Sequence, residues 1–341
     1  MKRITTAAVV LAATTSMASA GGIDRSGQSL RALFEDGGET GNYAELSYSF
    51  ADPTANGSLG SDDGLDAYSQ FGLAYKTNLT DQLSFALILD TPFAANVTYG
   101  AGPFAGGTAQ IDSTAFTGVL RYKFNNGFSV HGGLRLQELG GTIVSIGLLQ
   151  AESDLELGYV AGVAYERPDI ALRVALTYNS EIDHGLTGTE NVVNPTAFTV
   201  TTPASWNLDF QTGIAENTLL FGSVRYVEWA GFNLTTPGLG TYANFTANTT
   251  SYTLGVGRKF NENWSGAVTI GYESPTTRPT TTPLAPTAGF RSIGLGATYT
   301  QGNTKISGGV TYGKLGDQSF GPVTWTDNDV FGAGVRVGFN F

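Results

Sequence analysis

The stretch that decides the fold closes the chain: Phe331-Gly-Ala-Gly-Val-Arg-Val-Gly-Phe-Asn-Phe341. Phe331, Ala333, Val335, Val337, Phe339 and Phe341 fall on one face, and Gly332, Gly334, Arg336, Gly338 and Asn340 fall on the other. Side chains alternate with a period of two along a strand, so this strand has one apolar face and one polar or empty face. Composition extends the reading to the whole chain. There are 46 Gly, 20 Phe and 15 Tyr, and only 14% of residues are charged. Glycine disfavours helices and aromatics favour strands. The net charge of −11 argues against nucleic acid, which recruits clustered Lys and Arg. The absence of Cys excludes a disulfide framework and thiolate metal sites.

The alternation recurs upstream. Ile170, Leu172, Val174, Leu176 and Tyr178 oppose Arg173, Thr177, Asn179 and Glu181; Trp264, Val268, Ile270 and Tyr272 oppose Ser265, Thr269 and Glu273. Fourteen strands are predicted: 42–51, 67–78, 82–90, 111–125, 127–138, 154–167, 169–183, 205–215, 217–229, 249–260, 263–274, 290–300, 303–313 and 329–341. Very short connections at Leu79–Asp81, Asn126, Pro168, Glu216, Asn261–Glu262 and Gln301–Gly302 alternate with seven long ones. A membrane barrel has this rhythm, with turns at one rim and loops at the other. Every backbone group must pair inside a bilayer, so the sheet must close. The expected fold is an all-β, 14-stranded antiparallel transmembrane β-barrel over 42–341. The aromatic strand ending at Phe341 resembles the C-terminal signal of bacterial outer-membrane barrels. Tyr48, Tyr75, Tyr122, Tyr165, Tyr178, Tyr226, Trp229, Trp264 and Tyr299 are expected in the interfacial belts.

Two segments precede the strands. Lys2-Arg3, an apolar stretch and Ala18-Ser19-Ala20 read as a signal peptide over 1–20. Residues 21–41 do not alternate. Gln28 to Glu35 reads as a short helix capped by Ser26, with Leu30, Leu33 and Phe34 on one face. That face needs a surface, and a fourteen-strand barrel has a lumen to offer one. A hatch inside the barrel is therefore expected.

Several stretches are similar to the FadL/TodX-type outer-membrane transporters of hydrophobic compounds. They are Gly22–Phe34 before the first strand, Leu176-Thr-Tyr-Asn-Ser-Glu181, Pro203-Ala-Ser-Trp206 followed by Trp229 and Phe232, Gly271-Tyr-Glu-Ser-Pro275, and Phe290-Arg-Ser-Ile-Gly294. The resemblance implies a hatched barrel that captures hydrophobic ligands in its loops and releases them sideways at a kinked third strand. That strand would be 82–90, followed by the lateral exit at Pro92 and Phe93; proline cannot donate to a ladder. The Asn-Pro-Ala motif of many family hatches is absent from 21–41.

The candidate ligand-binding residues are the apolar ones in two long loops: Ile143, Val144, Ile146, Leu148 and Leu149 in one, Val192, Val193 and Phe198 in the other. Exposed apolar clusters mark binding surfaces. The only histidines, His131 and His184, lack a convincing catalytic or metal-binding neighbourhood. Thus no enzyme, no cofactor and no metal is expected. The expected protein is a monomer whose partners are a hydrophobic small molecule and outer-membrane lipid. The alternative reading is a porin-like channel for small polar solutes, with Arg121, Lys123, Arg135, Arg173, Arg225 and Arg336 lining the lumen or anchoring the hatch through Asp24, Glu35 and Asp36.

Overall fold

The computed structural model describes residues 23–275 and 282–341; the signal-peptide reading over 1–20 lies outside the described residues. Fourteen long strands form the wall. They are β1 (Tyr43–Gly57), β2 (Tyr68–Asn78), β3 (Leu83–Asp90), β4 (Thr108–Lys123), β5 (Phe128–Val144), β6 (Glu156–Arg167), β7 (Leu172–Asn179), β8 (Ser205–Ala215), β9 (Thr218–Val227), β10 (Thr249–Lys259), β11 (Trp264–Glu273), β12 (Phe290–Gln301), β13 (Thr304–Leu315) and β14 (Val323–Asn340). Each pairs antiparallel with the next, and β14 pairs back onto β1, so the sheet is closed. The six short connections lie where the sequence puts them. Ala171 and Asn217 hold left-handed backbone there, at φ 53° and 57°. In the place of the sequence-predicted start of β7, Pro168–Ile170 forms a 3₁₀ turn before Ala171.

The two faces follow the alternation. Val335, Phe331, Phe339, Leu73, Leu134, Leu157, Ile270 and Leu295 point outward and are exposed, whereas Arg121, Arg135, Gln137 and Arg225 are buried inside. So much apolar surface facing out is the signature of lipid contact. Aromatic pairs ring both rims. Trp264 and Tyr299 lie 5.0 Å apart and Phe128 and Tyr165 4.7 Å apart at the short-turn rim; Tyr178 and Trp206 lie 4.8 Å apart at the long-loop rim. Trp229 is a correction. It is fully buried among loop aromatics and is no belt residue, because it falls on the same side of the alternation as inward-facing Arg225 and Val227.

The long connections are more ordered than the alternation suggests. Residues 148–153 pair with the upper end of β5 and with 182–190, and 182–190 pairs with 194–202. The wall is thus continued above the belt by a sheet built from two of the long loops. A separate hairpin, Asn233–Thr236 with Gly240–Asn244, lies beside it.

Candidate functional site

The ladder between β2 and β3 is short. It runs from Asn78↔Ser84 only to Leu73↔Leu89. Above Asp90 the chain leaves the wall. Residues 91–94 pair instead with the N-terminal segment: Arg25 N donates to Pro92 O at 2.8 Å, Ser26 N to Thr91 O at 3.2 Å, and Ala94 N to Ile23 O at 2.8 Å. Wall pairing resumes at Ala95↔Ile111 and at the Leu65–Val97 bridge. Strand β2 therefore pairs with β1 as far as Tyr68, but with β3 only as far as Leu73. Proline suits the break because it has no N–H to leave unpaired. The resulting window holds a recess of about 90 Å³. Its lining includes polar Ser26, Ser47, Gln70 and Asp90 beside buried Ala32, Ala74 and Ile88, and lipid-facing Phe71 and Leu73. Gln70 Nε2 reaches across to Thr91 O at 3.5 Å, and Ser26 Oγ bonds Asp90.

The N-terminal segment is held at both ends. Asp24 receives Arg225 Nε at 2.6 Å and Nη2 at 3.1 Å, a bidentate charge-assisted pair. Arg225 also bonds Asn207 and Gln28, and Asn207 Nδ2 donates to Gly27 O. Farther along, Arg31 pairs with Glu35 and with Glu45 on β1, and Lys305 on β13 pairs with Glu35 at 3.2 Å. The helix predicted over 28–35 is a single 3₁₀ turn, Arg31–Phe34, without a side-chain cap. The Ser26 hydroxyl bonds Asp90. The apolar face nonetheless finds its surface. Leu30 and Leu33 are buried against Ala74, Ala86, Ile88, Val119 and Val160. Phe34 lies beneath the guanidinium groups of Arg121 and Arg173, at 4.4 and 5.0 Å.

Above this segment the lumen is apolar. Ile143, Leu149 and Phe198 line one small cavity with Ile23, Phe232 and Leu234, and the space left between them is about 30 Å³, the size of a water site. The same cluster runs on to the window. Phe232 packs on Trp229 at 5.5 Å, and Trp229 on Phe93 at 5.7 Å, both edge to face. Phe245 completes this set at 5.3 Å from Trp229. Higher still, Tyr99, Phe104 and Trp325 stack against one another. A hydrophobic track thus links the loop sheet to the break in the wall.

A model of the outer membrane protein transport protein family (OMPP1/FadL/TodX) matches residues 55–324. The chain belongs to this family. The same fold is seen in a Pseudomonas aeruginosa FadL homologue, at 13% identity and a TM-score of 0.73, covering 91% of this chain and 95% of that one. The P. putida toluene transporter TodX follows at 14% and 0.62, covering 95% and 96%, and the Ralstonia pickettii toluene transporter TbuX at 13% and 0.59, covering 88% and 90%. No curated protein sequence matches the chain. Membership makes this an outer-membrane protein of a family that transports hydrophobic compounds.

The candidate loop and exit residues of this FadL/TodX-family barrel fall into three groups. Ile143, Leu149 and Phe198 turn inward to the track, and Phe93 is buried at its lower end with Pro92 beside it. Val144 and Leu148 form a cross-strand pair beside the loop tip. Ile146, Val192 and Val193 sit exposed at hairpin tips, Val193 at 77%. Val192 holds φ 73°, a costly left-handed setting for a β-branched residue. Asn191 ties the two tips together through Leu148, with N–H···O at 2.8 Å and Leu148 N to Asn191 Oδ1 at 3.1 Å.

The histidines sit in polar packing. His131 bonds Thr177, and a Cβ at Gly162 would stand 2.3 Å from its Nε2. His184, under the loop sheet, accepts from Gln137 at 3.1 Å and contacts Thr202 and Ser153. Its burial lowers its pKa to about 4. Among the described residues no group of acidic and imidazole side chains could hold a metal. Sequence reading missed Phe245, and it missed the inward role of Trp229. An aromatic density of Trp229, Phe232, Tyr242 and Phe245 within one loop was the available signal. Of the suggested anchors, Asp24 and Glu35 form ion pairs with lumen cations; Asp36 forms none among the described residues but accepts from Lys76 through its carbonyl and lies within electrostatic reach of Lys76 and Lys123.

Proposed function

We propose that this protein carries long-chain fatty acids or other hydrophobic small molecules through the outer membrane by capture in the loops and sideways release. The observation that carries the reading is the window between β2 and residues 91–94, lined by polar and buried apolar groups together with lipid-facing Phe71 and Leu73. Ligand first meets Ile146, Val192 and Val193 at the tips, then Ile143, Leu149 and Phe198, with Val144 and Leu148 flanking the entrance. It follows Phe232, Trp229 and Phe93 down to Pro92 and leaves between Phe71 and Leu89. Each methylene buried on that route gains roughly 0.8 kcal/mol, enough for reversible capture by a few carbons. Residues 1–20 act as the export signal, 21–41 as the hatch, and 42–341 as the barrel, working as a monomer without cofactor. The chain performs no chemistry on its ligand. The toluene transporters of the same fold extend the candidate substrates to small aromatics.

The test is to close the window. With cysteines at Gln70 and Thr91 joined by a short thiol cross-linker, uptake of a labelled fatty acid should stop and return on cleavage of the linker. Uptake that persists through the closed window would refute lateral release. Ion conductance of the intact protein at the level of an open porin would favour a polar-solute channel instead.

A further inference from the structure

We propose that Arg25 is a head-group hook that makes the window select hydrophobic molecules bearing a carboxylate. This rests on the transport reading above and adds its specificity. Arg25 joins both lips of the window. Its main-chain N–H bonds Pro92 O on one lip, and its guanidinium lies 4.4 Å over the ring of Tyr68 on the other. The residue is buried, at 7% exposure. Among the described residues its guanidinium makes one weak hydrogen bond, from Nη1 to the carbonyl of the adjacent Asp24 at 3.4 Å, and its fully buried Nε has no hydrogen-bond partner. The Asp24 carboxylate is engaged by Arg225. Arg25 forms no ion pair with any described residue, although a buried guanidinium is costly without one.

The neighbouring cations differ. Arg31, Arg225, Arg336 and Lys305 all face carboxylates. Arg135 and Arg173 form no ion pair among the described residues either, but Arg135 bonds Thr117 on the wall and faces the Asp90 carboxylate, and Arg173 lies over Phe34. A ligand with an apolar tail and an anionic head supplies what Arg25 lacks. The planar fork of its N–H groups matches a carboxylate. The tail passes first, between Phe71 and Leu89, and the head stays on Arg25 until the tail has entered lipid. A neutral hydrocarbon or alcohol passes the same window without this hold.

The experiment compares dodecanoate with dodecanol, in cells for uptake and on purified protein by quenching of tryptophan fluorescence. R25Q should lower dodecanoate affinity and uptake about tenfold or more, the size of one charge-assisted hydrogen bond, and change dodecanol less than about twofold. R25K, which keeps the charge but not the fork, should fall between. An equal loss for both ligands would mean that Arg25 only seats the N-terminal segment and would overturn the proposal, as would an unchanged acid preference in R25Q. Wild-type protein that transports neither ligand would overturn the transport reading. In that case the acid preference in the binding assay, lost or kept in R25Q, still decides for or against Arg25.

Discussion

The wall has two unequal joints, and they lie side by side. Between β14 and β1 the ladder runs from Asn340↔Tyr43 to Trp325↔Gly57, broken by a single irregularity near Thr54. Between β2 and β3 it stops at Leu73↔Leu89. The difference lies in what the chain above Asp90 bonds to. Thr91, Pro92 and Ala94 bond to residues 23–26, and Phe93 bonds the Ser113 hydroxyl on β4 through both its N–H and its carbonyl. A membrane barrel leaves no backbone group unpaired, so a window costs little only where another segment takes over the pairing. The closed joint therefore depends on strand partners alone, while the open one depends on whatever holds the N-terminal segment.

The largest effect should come from that dependence. Arg225→Met leaves the Asp24 carboxylate buried and unpaired, a loss of about 3–5 kcal/mol by the usual cost of breaking a buried pair. Ion conductance should rise and amide exchange should quicken at 91–94, while the β14–β1 joint stays protected. Equal loosening of both joints would erase the distinction between them. Next come charges on the lipid face. Val335→Arg, at the closed joint, should cost about 2–4 kcal/mol in a refolding titration, and Gly334→Ser, facing the lumen, much less. Phe71→Arg should cost about half as much as Val335→Arg, because its guanidinium can turn into the polar window.

Acid should separate the joints further. The upper rim of the window, 95–98, is tied through β4 and β5 to the loop sheet that contains His184. Burial holds the His184 pKa at about 4. An unfolded imidazole titrates near 6.5, so between those values the unfolded segment binds a proton that the folded one refuses. Stability is intact above about pH 6.5 and is lost as pH falls toward 4, by about 3 kcal/mol in all. Exchange at 95–98 and 182–190 should quicken over that range, and H184Q should abolish the change. Constant protection across it would contradict the burial argument. The smallest effect belongs to the closed joint. A Cβ at Gly338 would stand 2.6 Å from the hydroxyl of Tyr43. Gly338→Ala should displace that ring from Glu45, which it bonds at 2.7 Å, at a cost of about 1 kcal/mol in thermal unfolding.

Alternation made the wall legible because lipid enforces it on every strand. Phe331 to Phe341 had to show one apolar face, and the structure puts that face outward. Trp229 shares the parity of inward-facing Arg225 and Val227, so the alternation itself places it inside, where it packs on Phe93; only its residue type suggested the belt. Where lipid contact ends, the rule ends. The loop strands 148–153 and 182–202 were illegible because their pairing is set by neighbours distant in sequence. Leu30, Leu33 and Phe34 marked a buried face correctly, but four residues with no cap make one 3₁₀ turn and no more. The partners of Arg225 could be guessed by sign alone, whereas the isolation of Arg25 could not be seen without the fold.

The closed joint also orders assembly. It unites the first strand with the last, the most distant pairing the chain makes, and such loops are the slowest to close. Residues 24–35 lie against the inner face of the ring that this joint completes, crossing from Arg225 on one wall to Lys305 on another. They must be in place before β14 zips onto β1, so a protease that cuts at Arg25 should lose access no later than the step at which that seam forms. The interior of this barrel is stocked before its door is shut.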